Sequence, residues 1–385
     1  MKKTTWLWIV LPLVALAGAI AIFLNSNPLA LLGVSTPPVE NLIIERTILN
    51  DKGISLLVRA EGSEPMQIAQ VQVDGAYWQF KQDPPGALPR LEAAWINVPY
   101  PWVQDETHHI AFITNTGAGF EHEITVAVPT PGFSLTRLLA YGLLGLYVGV
   151  LPVALGMLFY PSLKTLGGQG MKFILALTLG MLAFLLIDTL EEGLELAGTA
   201  ATAFSGNALV WLAMVASFLT IFTLGRRGGK SPEGHTLATY LAFSIGLHNL
   251  GEGLAIGSAF AVGEAALGSL LVIGFTLHNV TEGIGIAAPL VGFNPKFSTF
   301  FALTALAGLP AVLGTWIGAF AFSPHWAALF LGIGAGAILQ VMVEVGSYLM
   351  RTAHKLGGTW LSRVSLAGFG VGLTVMYATA LLVNV

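Results

Sequence analysis

The chain has 385 residues, 55% of them hydrophobic and only 10% charged, with 46 glycines, which excludes an ordinary soluble globular protein. It carries no cysteine, so disulfides and thiolate ligands are excluded, and any metal must be held by nitrogen and oxygen donors. The formal net charge of −4 matters less than its distribution, because twelve of the 21 acidic residues lie between Glu40 and Glu123.

In chain order, Lys2-Lys3 precede an apolar run from Trp6 to Leu24. Its length predicts a transmembrane anchor within residues 1–28; a cleaved signal segment is the alternative, because Ala15-Leu16-Ala17 resembles a cleavage site. Residues 36–130 change character, with prolines, turn residues and seven short β-rich runs. The predicted strands are Leu42–Leu49, Ile54–Val58, Ile68–Val73, Ala76–Phe80, Ala94–Val98, Ile110–Thr114 and Ile124–Val128, which together suggest a small all-β sandwich. Within it His108, His109 and His122, with Met66, form a weak candidate metal cluster. Adjacent histidines on a strand point to opposite faces, so ordinary surface histidines are the favoured reading. Pro129-Thr130-Pro131-Gly132 is a breaker and marks a domain boundary.

Residues 134–385 read as a polytopic all-α bundle, with eight spans at about 135–160, 170–197, 203–224, 237–260, 265–290, 298–321, 326–350 and 364–384. Lys164, Lys172, Arg226, Arg227, Lys230, Lys296, Arg351, Lys355 and Arg363 fall in alternate connections, which should therefore be cytoplasmic. The same rule puts Lys2-Lys3 inside, and residues 36–130 and Val385 outside a plasma (inner) membrane. Gly180 precedes Asp188, and Gly336 precedes Glu344, by eight residues on spans of opposite direction, a weak sign of an inverted repeat.

The fourth and fifth spans each carry one copy of a polar hexapeptide, His248-Asn249-Leu250-Gly251-Glu252-Gly253 and His278-Asn279-Val280-Thr281-Glu282-Gly283. On a helix, i and i+4 share a face and i+1 lies beside them, so each copy turns an imidazole, an amide and a carboxylate toward one point. The two copies fall in one mid-membrane band, where ionisable groups are costly and usually mark an ion pathway. His248, Asn249, Glu252, His278, Asn279 and Glu282 are therefore the candidate metal ligands, a donor mixture suited to Zn²⁺ and also to Fe²⁺, Mn²⁺ or Co²⁺. Interhelical hydrogen bonding is the competing use of such groups.

Asp188, Glu191, Glu192 and Glu195 form a carboxylate stripe at the outer end of the second span. Asp188, the deepest, reads as part of a cation entrance, with Glu191 and Glu192 as lesser candidates and Glu195 as a solvated helix end. Glu344 can line an exit or be a protonated structural carboxyl. His235 has no ligand partner.

These residues resemble the ZIP family of ZRT/IRT-like metal transporters, in its prokaryotic branch with His-Asn-x-Pro-Glu-Gly motifs on the fourth and fifth helices. The resemblance covers about residues 135–385. It implies an eight-helix bundle, often dimeric, that moves divalent metal toward the cytoplasm, with the six motif residues as ligands and Val343-Glu344 in an acidic seventh-helix segment. Two features depart from the family. Gly251 and Thr281 stand where the motif has proline, and Ala307-Gly308-Leu309-Pro310-Ala311 lacks the sixth-helix glutamate that many relatives use for a second metal. Transport of a divalent metal is thus expected, with no cofactor, no catalytic residue and no nucleic-acid partner. An intramembrane zinc metalloenzyme or a metal sensor signalling through the sandwich are the alternatives.

Overall fold

Two four-stranded antiparallel sheets share one apolar core in the N-terminal half of the computed structural model, which describes residues 3–26, 39–130, 132–199, 206–226, 232–261, 265–355 and 358–383. The strands are β1 (Leu42–Asn50), β2 (Gly53–Ala60), β3 (Ile68–Val73), β4 (Ala76–Trp78), β5 (Lys81–Asp83), β6 (Ala93–Val98), β7 (His108–Thr114) and β8 (Gly119–Ile124). Their order is β1-β2-β6-β5 in one sheet and β4-β3-β7-β8 in the other. Alternating residues supply the core, Leu56, Val58 and Ile96 from the first sheet against Val71, Val73, Ile110 and Phe112 from the second. Asp74 and Gly75 join β3 to β4 with φ of 53° and 79°, the positive pair that a two-residue hairpin requires.

Six of the seven predicted strands lie where expected, give or take a few residues. The last does not. Thr125–Val128 is irregular, and the strand is β8, which ends at Ile124 and pairs with β7 across a turn containing Gly117 at φ 91°. The β-branched run Ile124-Thr125-Val126 pointed one segment too late, whereas the true edge strand alternates Phe120, His122 and Ile124 with exposed glutamates. β5 is a polar edge strand of three residues that no hydrophobic pattern marks.

The histidines of the sandwich do not converge. His108 is buried and hydrogen-bonds Asp74 through Nδ1 at 2.8 Å, while its Nε2 accepts from the Val103 amide at 3.2 Å. It is thus a core histidine and not a surface one. Tyr100 donates to Asp74 at 2.7 Å, and this acceptor, helped by burial, pushes the phenol up to about 12. His122 bonds Thr47 at 3.0 Å, His109 is exposed, and Met66 is part of the apolar core.

The helices follow from the apolar runs. α1 spans Lys3–Ser26, and its side chains from Val10 to Ile22 are exposed. The first predicted bundle span is composite: α2 (Leu135–Gly145), a π-helical turn (Leu146–Val150), α3 (Leu151–Met157) and the short α4 (Tyr160–Thr165). The others are α5 (Gly168–Thr199), α6 (Gly206–Gly225), α7 (Gly234–Ala261), α8 (Ala265–Ala287), α9 (Phe297–Ala321), α10 (Pro324–Lys355) and α11 (Arg363–Val383). Seven of these helical segments are long and apolar enough to cross a bilayer, which makes the chain a multi-pass membrane protein. α7 falls outside that set although it has 28 residues, because the first polar motif in its middle makes it less apolar than the others. Lys2, Arg227, Lys230 and Val385, which entered the topological reading, and Pro131 of the predicted domain boundary lie outside the described residues.

Packing within the bundle is paired. Gly156 of α3 and Gly283 of α8 each face the other helix's backbone so closely that an added Cβ would strike a carbonyl oxygen. Gly314 of α9 and Gly253 of α7 do the same for their helices. Likewise Gly180 seats α5 against the Phe369 carbonyl of α11, and Gly336 seats α10 against the Met214 carbonyl of α6. The α3–α8 and α5–α11 contacts thus have counterparts in α9–α7 and α10–α6, as the Gly180 and Gly336 spacing suggested. At one end of the bundle, Arg46 of β1 donates to the Phe320 carbonyl of α9 at 3.1 Å. The basic residues Lys164, Arg226, Lys296 and Arg351 lie at the opposite helix ends.

Candidate metal centre

Both motif helices run unbroken through their motifs. With glycine at 251 instead of proline, α7 keeps its hydrogen-bonded ladder and needs no kink. In α8 Thr281 fills the corresponding place, and its hydroxyl donates back to the His278 carbonyl. Straight helices keep i and i+4 stacked, so the imidazole and carboxylate of α7 stay in contact: His248 Nε2 lies 3.0 Å from Glu252 Oε1.

α8 brings the second copy against the first. His278 Nε2 contacts the same Glu252 Oε1, and Asn279 Nδ2 donates to Glu252 Oε2 at 3.0 Å. The ligand atoms of His248, Glu252 and His278 all lie within 4.8 Å of one another, and all three residues are buried. Tetrahedral zinc, with metal–nitrogen bonds of about 2.0 Å, holds its ligand atoms about 3.3 Å apart, so this trio fits after small shifts in which Glu252 Oε1 backs away from both imidazoles. Thr189 Oγ1, 3.4 Å from His248 Nδ1, sits where it can orient that ring.

The two asparagines do something the sequence did not show. A helical proline cannot donate to the carbonyl four residues back, so Pro152 leaves the Val148 carbonyl of the π-helical turn without a partner. Asn279 Nδ2 donates to that carbonyl at 3.1 Å. Pro310 frees the Leu306 carbonyl of α9, and Asn249 Nδ2 donates at 3.0 Å to the next carbonyl along, that of Ala307. Each motif therefore clamps a proline-broken turn on a neighbouring helix. Because the amide nitrogen faces a carbonyl, the oxygen is left for another partner, and Oδ1 of Asn249 and of Asn279 is buried without a hydrogen bond.

Glu282 stands outside the close trio. Neither of its buried carboxylate oxygens makes a hydrogen bond, and the Asn249 side chain is a polar neighbour. A bare, buried carboxylate is among the most costly groups a protein interior can hold. Together with the two free Oδ1 atoms it supplies a set of acceptors beside two imidazoles, which is the chemistry of a cation site.

Asp188, Glu191, Glu192 and Glu195 all line one open cavity of about 680 Å³, and His278 lines it as well. Glu195 is exposed on that cavity, in keeping with a solvated helix end. Beyond the centre, a small cavity of about 20 Å³ is lined by His278, Glu282 and apolar residues such as Leu241 and Val341. Glu344 lines neither cavity. It is buried and ion-paired with Arg226 at 3.2 Å, a partner the sequence gave no reason to assign. Among the described residues, no second group of three His, Asp or Glu ligands converges, and the α9 segment Ala307–Ala311 adds no carboxylate.

Substituting either asparagine by leucine removes an oxygen donor, and at Asn279 it also strands the Val148 carbonyl that Pro152 leaves free. Asn249→Leu and Asn279→Leu should each weaken Zn²⁺ binding about 10–100-fold in calorimetry on purified protein. The loss of folding stability should be near 1 kcal/mol, because hydrogen bonds within membranes contribute modestly. The larger effect is expected at Asn279, which also holds Glu252.

Comparison with protein-family models and with curated proteins finds no match to this chain.

Proposed function

We propose that the chain is a transporter of divalent transition-metal ions, Zn²⁺ foremost, that carries them inward through an eight-helix bundle of which α7 is the central member. The observation that carries this reading is the buried cluster of His248, Glu252 and His278 beside the unpartnered oxygens of Asn249, Asn279 and Glu282. Glu282 and the two amide oxygens find no hydrogen-bond partner within this group, and a divalent cation satisfies them. The acid-lined cavity that reaches His278 supports an approach path from the sandwich end, since clefts of one charge sign concentrate counter-ions. The pairing of α3–α8 with α9–α7 supports the likeness to ZIP proteins, whose motif residues match these six.

Purified protein in sealed vesicles tests the proposal directly: Zn²⁺ should accumulate in the lumen, with competition by Fe²⁺, Mn²⁺ and Co²⁺. A metalloenzyme or a metal sensor built on the same site would bind Zn²⁺ without raising luminal metal. The sandwich is assigned to the periplasmic or extracellular face of the plasma (inner) membrane. Gly117 lies in an open hairpin turn of this cysteine-free chain. Gly117→Cys should react with an impermeant thiol reagent on intact cells, and labelling that requires broken cells would reverse the topology.

A further inference from the structure

The paired packing makes Asp188 and Glu344 equivalents. Each follows by eight residues the glycine that seats its helix, Gly180 on α11 and Gly336 on α6. Their surroundings nevertheless differ. Asp188 is exposed to the large cavity and makes no ion pair among the described residues. Glu344 is 0% exposed, and its Oε1 accepts from Arg226 Nε at 3.2 Å while Oε2 is buried without a partner. The Arg226 guanidinium also lies over the Phe222 ring, 4.3 Å from its centroid, which fixes it at the end of α6.

Further polar groups lie between Glu344 and the metal centre. Gln340 is one turn before Glu344 on α10, and Ser244 is one turn before His248 on α7, so both lie between the centre and the basic end. Ser244 Oγ donates to Gln340 Oε1 at 3.3 Å, and the Gln340 Nε2 is buried with no partner. A buried row of hydroxyl, amide and carboxylate is expensive in a bilayer unless something polar uses it.

We infer that Glu344, Gln340 and Ser244 form a second, inner position for the divalent cation, and that Arg226 occupies it as a tethered substitute charge that seals the basic end. The inference rests on the transport reading given above. It explains how one end of a paired architecture is open at Asp188 while the other is closed at Glu344. Three oxygen donors with a single negative charge hold Zn²⁺ more weakly than the nitrogen-containing centre does, as a release position requires. Arg226 must withdraw for the ion to pass, and its return re-forms the seal.

The test uses the full chain in vesicles with Ser244→Cys as the single thiol and an impermeant maleimide applied at the basic end. With Arg226 present labelling should be slow. Arg226→Gln should make it about tenfold faster, and Arg226→Lys should keep it slow, because a cation at that place closes the local opening. Glu344→Gln breaks the same pair from the other side and should also speed labelling, which covers the case in which Arg226→Gln does not fold. Mn²⁺, which prefers oxygen donors to thiols, should slow labelling in the Arg226→Gln protein and not when Glu344→Gln is added. Labelling unchanged in both single variants, an equal increase from the sandwich end, or no response to Mn²⁺ would each overturn the inference. Labelling does not require net transport, so loss of the seal and loss of the transport reading are separate results.

Discussion

Glu252→Gln and Glu282→Gln should each reduce Zn²⁺ uptake by about 100-fold or more, since each removes a negative charge that the cation's lost hydration requires. The two variants should differ in the protein without added metal. Glu252 accepts from His248, His278 and Asn279, so replacing it disturbs three neighbours at once. Glu282 has no hydrogen bond at either oxygen, and glutamine there removes a bare buried charge. Glu282→Gln is therefore expected to melt no lower than the parent protein in the absence of metal, and Glu252→Gln to melt lower. Saturating Zn²⁺ at about 100 times its dissociation constant should stabilise the parent by about 2.7 kcal/mol and neither variant by a comparable amount. Normal uptake by both variants would refute the transport proposal.

The parts of this molecule legible in the sequence are those governed by local repetition. Apolar runs gave the helical segments, and the duplicated hexapeptide gave His248, Glu252 and His278, because i and i+4 must share a helical face wherever that helix lies. Alternation placed β3 exactly where it lies, but failed at β5, whose Lys81-Gln82-Asp83 has no apolar face to recognise. Long-range partnerships were not visible. The carbonyls that Asn249 and Asn279 hold, those of Ala307 and Val148, lie 58 and 131 residues away in sequence, and only the packing of α7 on α9 and of α8 on the first span joins them. The Arg226–Glu344 pair was missed for a related reason: the basic residue was read as a marker of a cytoplasmic loop, and side-chain length lets such an arginine reach back into the bundle. Thr189 and Ser244 carried a fainter signal, since one adjoins Asp188 and the other precedes His248 by one turn.

One tight Zn²⁺ per chain is the expected stoichiometry. His248, Glu252 and His278 make one three-ligand group, and the described residues hold no other. Two dications a few ångströms apart need more compensating charge than one close carboxylate and its neighbour Glu282 supply. Two sources of extra charge are placed unfavourably: Asp188 opens on the large cavity, and Glu344 is already neutralised by Arg226. On the proposed likeness to ZIP proteins, a sixth-helix carboxylate would fall in the Ala307–Ala311 segment, where the Ala307 carbonyl is instead engaged by Asn249. Calorimetry with bound-metal analysis should give one high-affinity ion, lost on His278→Ala, with any inner position at Glu344 seen only as weak binding. The sandwich histidines should contribute nothing, because His108 is tied to Asp74 and His122 to Thr47. Changing both to alanine must then leave the count at one. Two tight ions that both disappear with the motif residues would show instead that the bundle assembles a binuclear centre when metal arrives, with Glu282 and a displaced Asp188 as the added ligands.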